Sequence, residues 1–82
     1  MNQQMPLKNA GYKIQDFKMY REQENGKNYI VLAKQEKTGM WATWECTNCN
    51  DFYWGHYFES ENEARKDFYE RLASKYDLPW EG

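Results

Sequence analysis

The chain has 82 residues and a formal net charge of −2, with 18% aromatic and 29% charged residues. That length holds one domain around one core. Interspersed charge of both signs argues against a disordered chain and against a dedicated phosphate-tracking surface. No apolar run approaches the roughly 20 residues of a membrane helix, and Met1 to Ala10 lack the apolar stretch of a signal peptide, so a cytoplasmic setting is expected.

Residues 1–11 are polar, contain Pro6 and show no period, which reads as a flexible arm ahead of a single α+β domain over 12–82. From Tyr12 onward, strand patterns alternate with turn signals. Asn25-Gly26 between two apolar runs favours a type I′ hairpin, because both central residues need positive φ. That turn places Glu24 opposite Lys27, Arg21 opposite Ile30 and Met19 opposite Leu32. Gly39 suits the left-handed position of a three-residue loop, 37–39, which pairs Glu36 with Met40 and Leu32 with Trp44. The polar stretch from Thr47 to Asp51 is a third turn; it sets Cys46 opposite Phe52, Trp44 opposite Trp54 and Ala42 opposite His56.

The period then changes. Ser60-Glu61-Asn62-Glu63 is a capping box, in which the Ser60 hydroxyl accepts the Glu63 amide. Ala64, Phe68, Leu72 and Tyr76 follow as one helical stripe, with Glu61–Arg65 and Asp67–Arg71 at ion-pair spacing. Pro79 stops the helix, leaving Leu78 and Trp80 beyond it. The expected fold is a four-stranded antiparallel β-meander followed by one C-terminal α-helix packed on one sheet face.

In these registers Phe17, Met19, Ile30, Leu32, Met40, Ala42, Trp44, Cys46, Phe52, Trp54, His56 and Phe58 share the face that the helix covers. The opposite face carries Tyr20, Tyr29, Trp41, Thr43, Tyr53 and Tyr57. One helix cannot cover both faces, so these six are the candidate binding residues. Cross-strand aromatic pairs also stiffen a sheet without any partner. Tyr and Trp dominate interface hot spots, and self-association through this face is the simplest version. The alternative is a single-stranded nucleic acid stacking on Tyr20, Tyr29, Trp41, Tyr53 and Tyr57, with Lys18, Arg21 and Lys27 alongside.

Cys46-Thr47-Asn48-Cys49 has the spacing of a zinc half-site, but a structural site takes four ligands and the chain has no second Cys pair. Cys46 and Cys49 are therefore weak metal candidates, and no cofactor is expected. His56, the single imidazole, reads as a core histidine. Asp16, Asp51 and Asp67 have no defined pairing with it, and catalysis needs a second acid, base or nucleophile. An enzyme is not expected.

Three strings then stand out: Trp41-Ala42-Thr43-Trp44, Tyr53-Trp54-Gly55-His56-Tyr57-Phe58, and Ala64 with Asp67-Phe68 and Arg71. Together they resemble small uncharacterised proteins and accessory domains encoded on conjugative elements and phages of Firmicutes. The resemblance implies a bacterial cytosolic setting and an accessory role, exerted by binding host machinery. With the aromatic face, it points to a non-enzymatic binding module acting by protein contact.

Overall fold

The computed structural model describes residues 4–24 and 26–76. The expected α+β meander with a C-terminal helix is present, with one additional short strand. Strands β1 (Lys8–Asn9), β2 (Tyr12–Gln23), β3 (Gly26–Gln35), β4 (Met40–Thr47) and β5 (Asp51–Phe58) form one antiparallel sheet in the order β1-β2-β3-β4-β5. Helix α1 (Glu61–Tyr76) follows.

Strand β1 falls in the segment read as a flexible arm. Asn9 pairs with Tyr12 across Ala10 and Gly11, whose φ values of 53° and 83° fit a two-residue turn with both centres left-handed. The Ile14 amide also donates to the Leu7 carbonyl at 2.9 Å.

Two of the three expected registers shift. Beside the first turn Gln23 pairs with Gly26 and Glu22 with Lys27; Asn25 itself lies outside the described residues. A bulge between Met19 and Arg21 then moves the pairing further, so that Lys18 faces Ile30, and a second lies between Ile14 and Asp16. At the second turn Gln35, not Glu36, pairs with Met40. The loop has four residues, closed by the Gly39 amide on the Gln35 carbonyl at 2.7 Å, and Gly39 still takes the left-handed position (φ 78°). A slip of one residue moves a strand's whole side-chain set to the other face. The third turn holds as expected at Cys46–Phe52, but a bulge between the Glu45–Tyr53 and Thr43–His56 pairs shifts the remainder of β5.

These shifts correct the expected faces. The helix side of the sheet carries Ile30, Leu32 and Trp41, which pack with Ala64, Phe68 and Leu72 of α1, flanked by Tyr20 and Phe58. The far side carries Val31, Ala33, Ala42, Trp44 and Cys46, packed by Met5, Tyr12, Ile14, Tyr29 and Phe52. The far side is thus not a bare platform. The sheet curls on itself, so that the Tyr12 ring of β2 reaches Trp44 of β4 at 5.5 Å and Tyr57 of β5 at 5.9 Å. A residue of the expected arm, Met5, lies against the same cluster.

The helix forms where its sequence signals place it. The Glu63 amide donates to the Ser60 hydroxyl at 3.2 Å, which caps the first turn. Ala64 and Phe68 are fully buried and Leu72 nearly so. The side chain of Tyr76 and residues 77–82, which include Leu78, Pro79 and Trp80, lie outside the described residues. No helix among the described residues is long and apolar enough to cross a membrane.

Candidate binding site at the tryptophan bulge

The β5 bulge has a physical cause. A Cβ on Gly55 would stand 2.7 Å from both Cδ1 and Nε1 of Trp44, so only glycine lets β5 lie this close to the buried indole. Trp44 Nε1 in turn donates to the Tyr57 hydroxyl at 3.2 Å. With Gly55 committed to that approach, the left-handed conformation falls on Trp54 (φ 54°). A bulky residue in this region is a genuine outlier. Its side chain is also out in solvent, 69% exposed, where most aromatics of the chain are not.

Arg71 of α1 holds the bulge. Its Nη2 donates to the Trp54 carbonyl at 2.5 Å and its Nε to Asp67 Oδ2 at 3.1 Å. Asp67 also accepts from the Thr43 hydroxyl at 2.5 Å and lies 3.1 Å from His56 Nδ1. Burial pushes the Asp67 carboxyl up, but the hydrogen bonds from Thr43, His56 and Arg71 outweigh it and hold the group below its ordinary value. The carboxylate is therefore ionised at neutral pH and can only accept. His56 Nδ1 must carry the proton, and in the neutral ring Nε2 is left as an acceptor on the solvent side.

A second carboxylate, this one buried, completes the network. Glu45, 6% exposed, accepts from the Tyr20 hydroxyl at 3.1 Å and pairs with Lys75 Nζ at 3.2 Å, with Arg71 Nη1 at 3.8 Å. Burial, and then the charge of Glu45, raise the Tyr20 phenol to about 12. The Lys75 ammonium also sits 5.1 Å from the centre of the Tyr20 ring. Between β5 and the last turns of α1 lies an open cleft of about 280 Å³, lined by Glu45, Trp54, His56, Arg71, Ser74 and Lys75. The cleft itself sets one carboxylate, Glu45, against two cations, Arg71 and Lys75; Asp67 joins the network from outside the lining, through Arg71.

The six candidate residues do not share one surface. Tyr20, Trp41, Thr43 and Tyr53 lie on the helix side, where Trp41 is 7% exposed and Thr43 fully buried. Tyr29 and Tyr57 lie on the far side. Thr43 orients Asp67, Tyr20 caps Glu45, and Tyr53 exchanges a hydrogen bond with Thr47 at 2.8 Å. Of the expected six, Tyr57 is the one that stays largely exposed. The possible nucleic-acid platform on the same residues is divided in the same way.

His56 is not in the core. It lies on the outer strand, half exposed, and the expected absence of an acid partner is corrected by Asp67. The helical spacing Asp67–Arg71 was the available signal, and the one-residue slip of β4 concealed the rest. Among the described residues no hydroxyl or thiol is hydrogen-bonded to the imidazole.

Cys46 and Cys49 are free and buried. Burial pushes the Cys46 thiol up to about 11, and burial followed by a hydrogen bond with Cys49 raises Tyr29 to about 12. No group of three or more His, Cys, Asp or Glu side chains among the described residues is placed to hold a metal ion.

The strings singled out in the sequence therefore converge on one place. Thr43, Trp54, His56, Asp67 and Arg71 join into a single network, and Trp44, Gly55 and Tyr57 set the bulge that carries it. Comparison with known proteins gives no match: no protein-family model fits the sequence, no curated protein is similar to it, and no solved structure is similar to its fold.

Proposed function

We propose that the chain is a non-enzymatic binding module that works by protein contact, with Trp54 as its anchor. The observation that carries this reading is Trp54 itself: a large aromatic held in a strained conformation, turned out to solvent, with the partly buried Arg71 fixing its carbonyl. Strain of this kind persists where the surrounding structure over-determines it, and it clusters at functional sites: active sites, ligand clamps and switch regions. Trp and Arg are the residues most enriched among interface hot spots. The contact surface thereby moves from a broad aromatic platform to the outer flank of β5, around Trp54, His56 and Tyr57.

Two further points favour binding over catalysis. The carboxylate that orients His56 is shared among three partners, which suits a rigid support. The cleft beside it is shallow and its charges are paired internally. The implied setting, a bacterial accessory protein of a mobile element or phage, is part of the same proposal and rests on the three sequence strings.

The test compares affinity capture from native cells, and co-capture of a second, differently tagged copy, by the parent chain and by Trp54→Gly. Any protein whose recovery depends on Trp54 supports the reading. Equal recovery of every captured protein by a folded Trp54→Gly chain defeats it. Single-stranded nucleic acid remains the alternative; Trp54-dependent binding of a labelled oligonucleotide at low salt would favour it.

A further inference from the structure

The outer strands of the sheet are treated differently by the sequence. The free flank of β2 is guarded. It is broken by two bulges, carries Lys18 and Arg21, and has its Phe17 amide capped by the Asp16 carboxylate at 2.8 Å. Such devices blunt a strand against pairing. Strand β5 ends the sheet on the other side, and from Phe52 to Phe58 it contains no Asp, Glu, Lys or Arg. Its guard is the bulge at Trp54 alone, and that bulge displays an indole instead of a charge.

The site is also self-complementary. Among the described residues neither the indole N–H of Trp54 nor Nε2 of His56 has a hydrogen-bond partner. One is a donor only; the other, with Nδ1–H committed to Asp67, is an acceptor in the neutral ring. The two residues lie two positions apart on one strand and line one cleft. An antiparallel approach of two β5 flanks centred on Gly55 brings Trp54 of each copy beside His56 of the other. A two-fold interface requires this reciprocity, in which one residue meets a second and the second meets the first.

We infer that the Trp54 cleft is an isologous contact between two copies of this chain, in which the indole of each enters the cleft of the other and donates to its His56. The inference rests on the reading of Trp54 as an anchor and names its partner. The bulge interrupts the β5 ladder, so the contact runs through side chains and not through a continued sheet.

Sedimentation equilibrium of the full chain over a wide concentration range tests it. The parent chain is expected to show a reversible monomer–dimer equilibrium. Removing a hot-spot tryptophan by Trp54→Gly should weaken association at least ~30-fold. Trp54→Phe, which keeps a ring but deletes the N–H, should weaken it less. Lys18→Glu on the guarded flank should leave it unchanged. Circular dichroism confirms that each variant is folded. A chain that stays monomeric at every concentration overturns the inference, as does a dimer whose constant Trp54→Gly does not alter. A monomer that still captures another protein through Trp54 overturns the self-contact and leaves the anchor standing. A monomer with no Trp54-dependent capture overturns both.

Discussion

The conformation of Trp54 makes a prediction whose sign is opposite to ordinary experience. In the interior of a strand, replacing alanine by glycine lowers stability by roughly 0.5–1 kcal/mol, because glycine loses more backbone freedom on folding. At φ 54° a Cβ crowds the following carbonyl, a penalty of roughly 1–2 kcal/mol that glycine does not feel. Trp54→Ala and Trp54→Gly both delete the indole, and the difference between them isolates the backbone. The penalty exceeds the entropic handicap, so Trp54→Gly should be the more stable of the two by about 1 kcal/mol. In a domain of this size that is a rise in Tm of about 4–8 °C. Urea and thermal unfolding followed by circular dichroism give the comparison. Lys18, exposed within β2, is the control position, where Lys18→Ala should exceed Lys18→Gly in the usual way. Trp54→Ala equal to or more stable than Trp54→Gly would refute the argument that the bulge is strained.

Gly55→Ala should destabilise the fold by about 1–3 kcal/mol, since the new methyl must displace a buried indole and overpacking carries that penalty; chemical denaturation measures it. Arg71→Met removes the cation shared by Asp67, Glu45 and the Trp54 carbonyl, leaving buried carboxylates short of a partner, and should cost about 3–5 kcal/mol in the same assay. The pH profile of stability should fall at both ends. The folded-state pKa of Asp67 lies below its unfolded value of 3.8, so its contribution is complete above that value and is lost as pH drops through the folded pKa; Asp67→Asn should flatten this acid limb. Tyr20 is raised from 10.0 to about 12, so its contribution is complete below pH 10 and is lost as pH climbs toward 12, a limb that Tyr20→Phe should remove.

Local chemistry was legible wherever one short segment decided the outcome. The Ser60 cap, the stripe Ala64, Phe68 and Leu72, and the pairs Glu61–Arg65 and Asp67–Arg71 all depend on helical spacing alone, and all are present. The turn from Thr47 to Asp51 also kept its register. Sheet faces depend on counting across loops, and there one residue decides everything. Gly39 accommodates a left-handed residue in a three-residue or a four-residue loop, and the longer loop moved Trp41 and Thr43 to the helix side. The turn at Ala10-Gly11 has no sequence signature, because alanine seldom accepts positive φ, so no local signal marks β1. The bulge at Trp54 is a tertiary effect: it follows from the place Gly55 must take against Trp44 on the neighbouring strand, which no local pattern encodes. His56 went with it, from an expected core position to the rim of the cleft.

Display of Trp54 for contact is the premise of the binding proposal. The direct measurement is quantitative recovery of partners, a second copy included, by folded Trp54→Gly against the parent chain. The expected result is that recovery through Trp54 is lost while the fold remains. Undiminished recovery by the folded variant would contradict it.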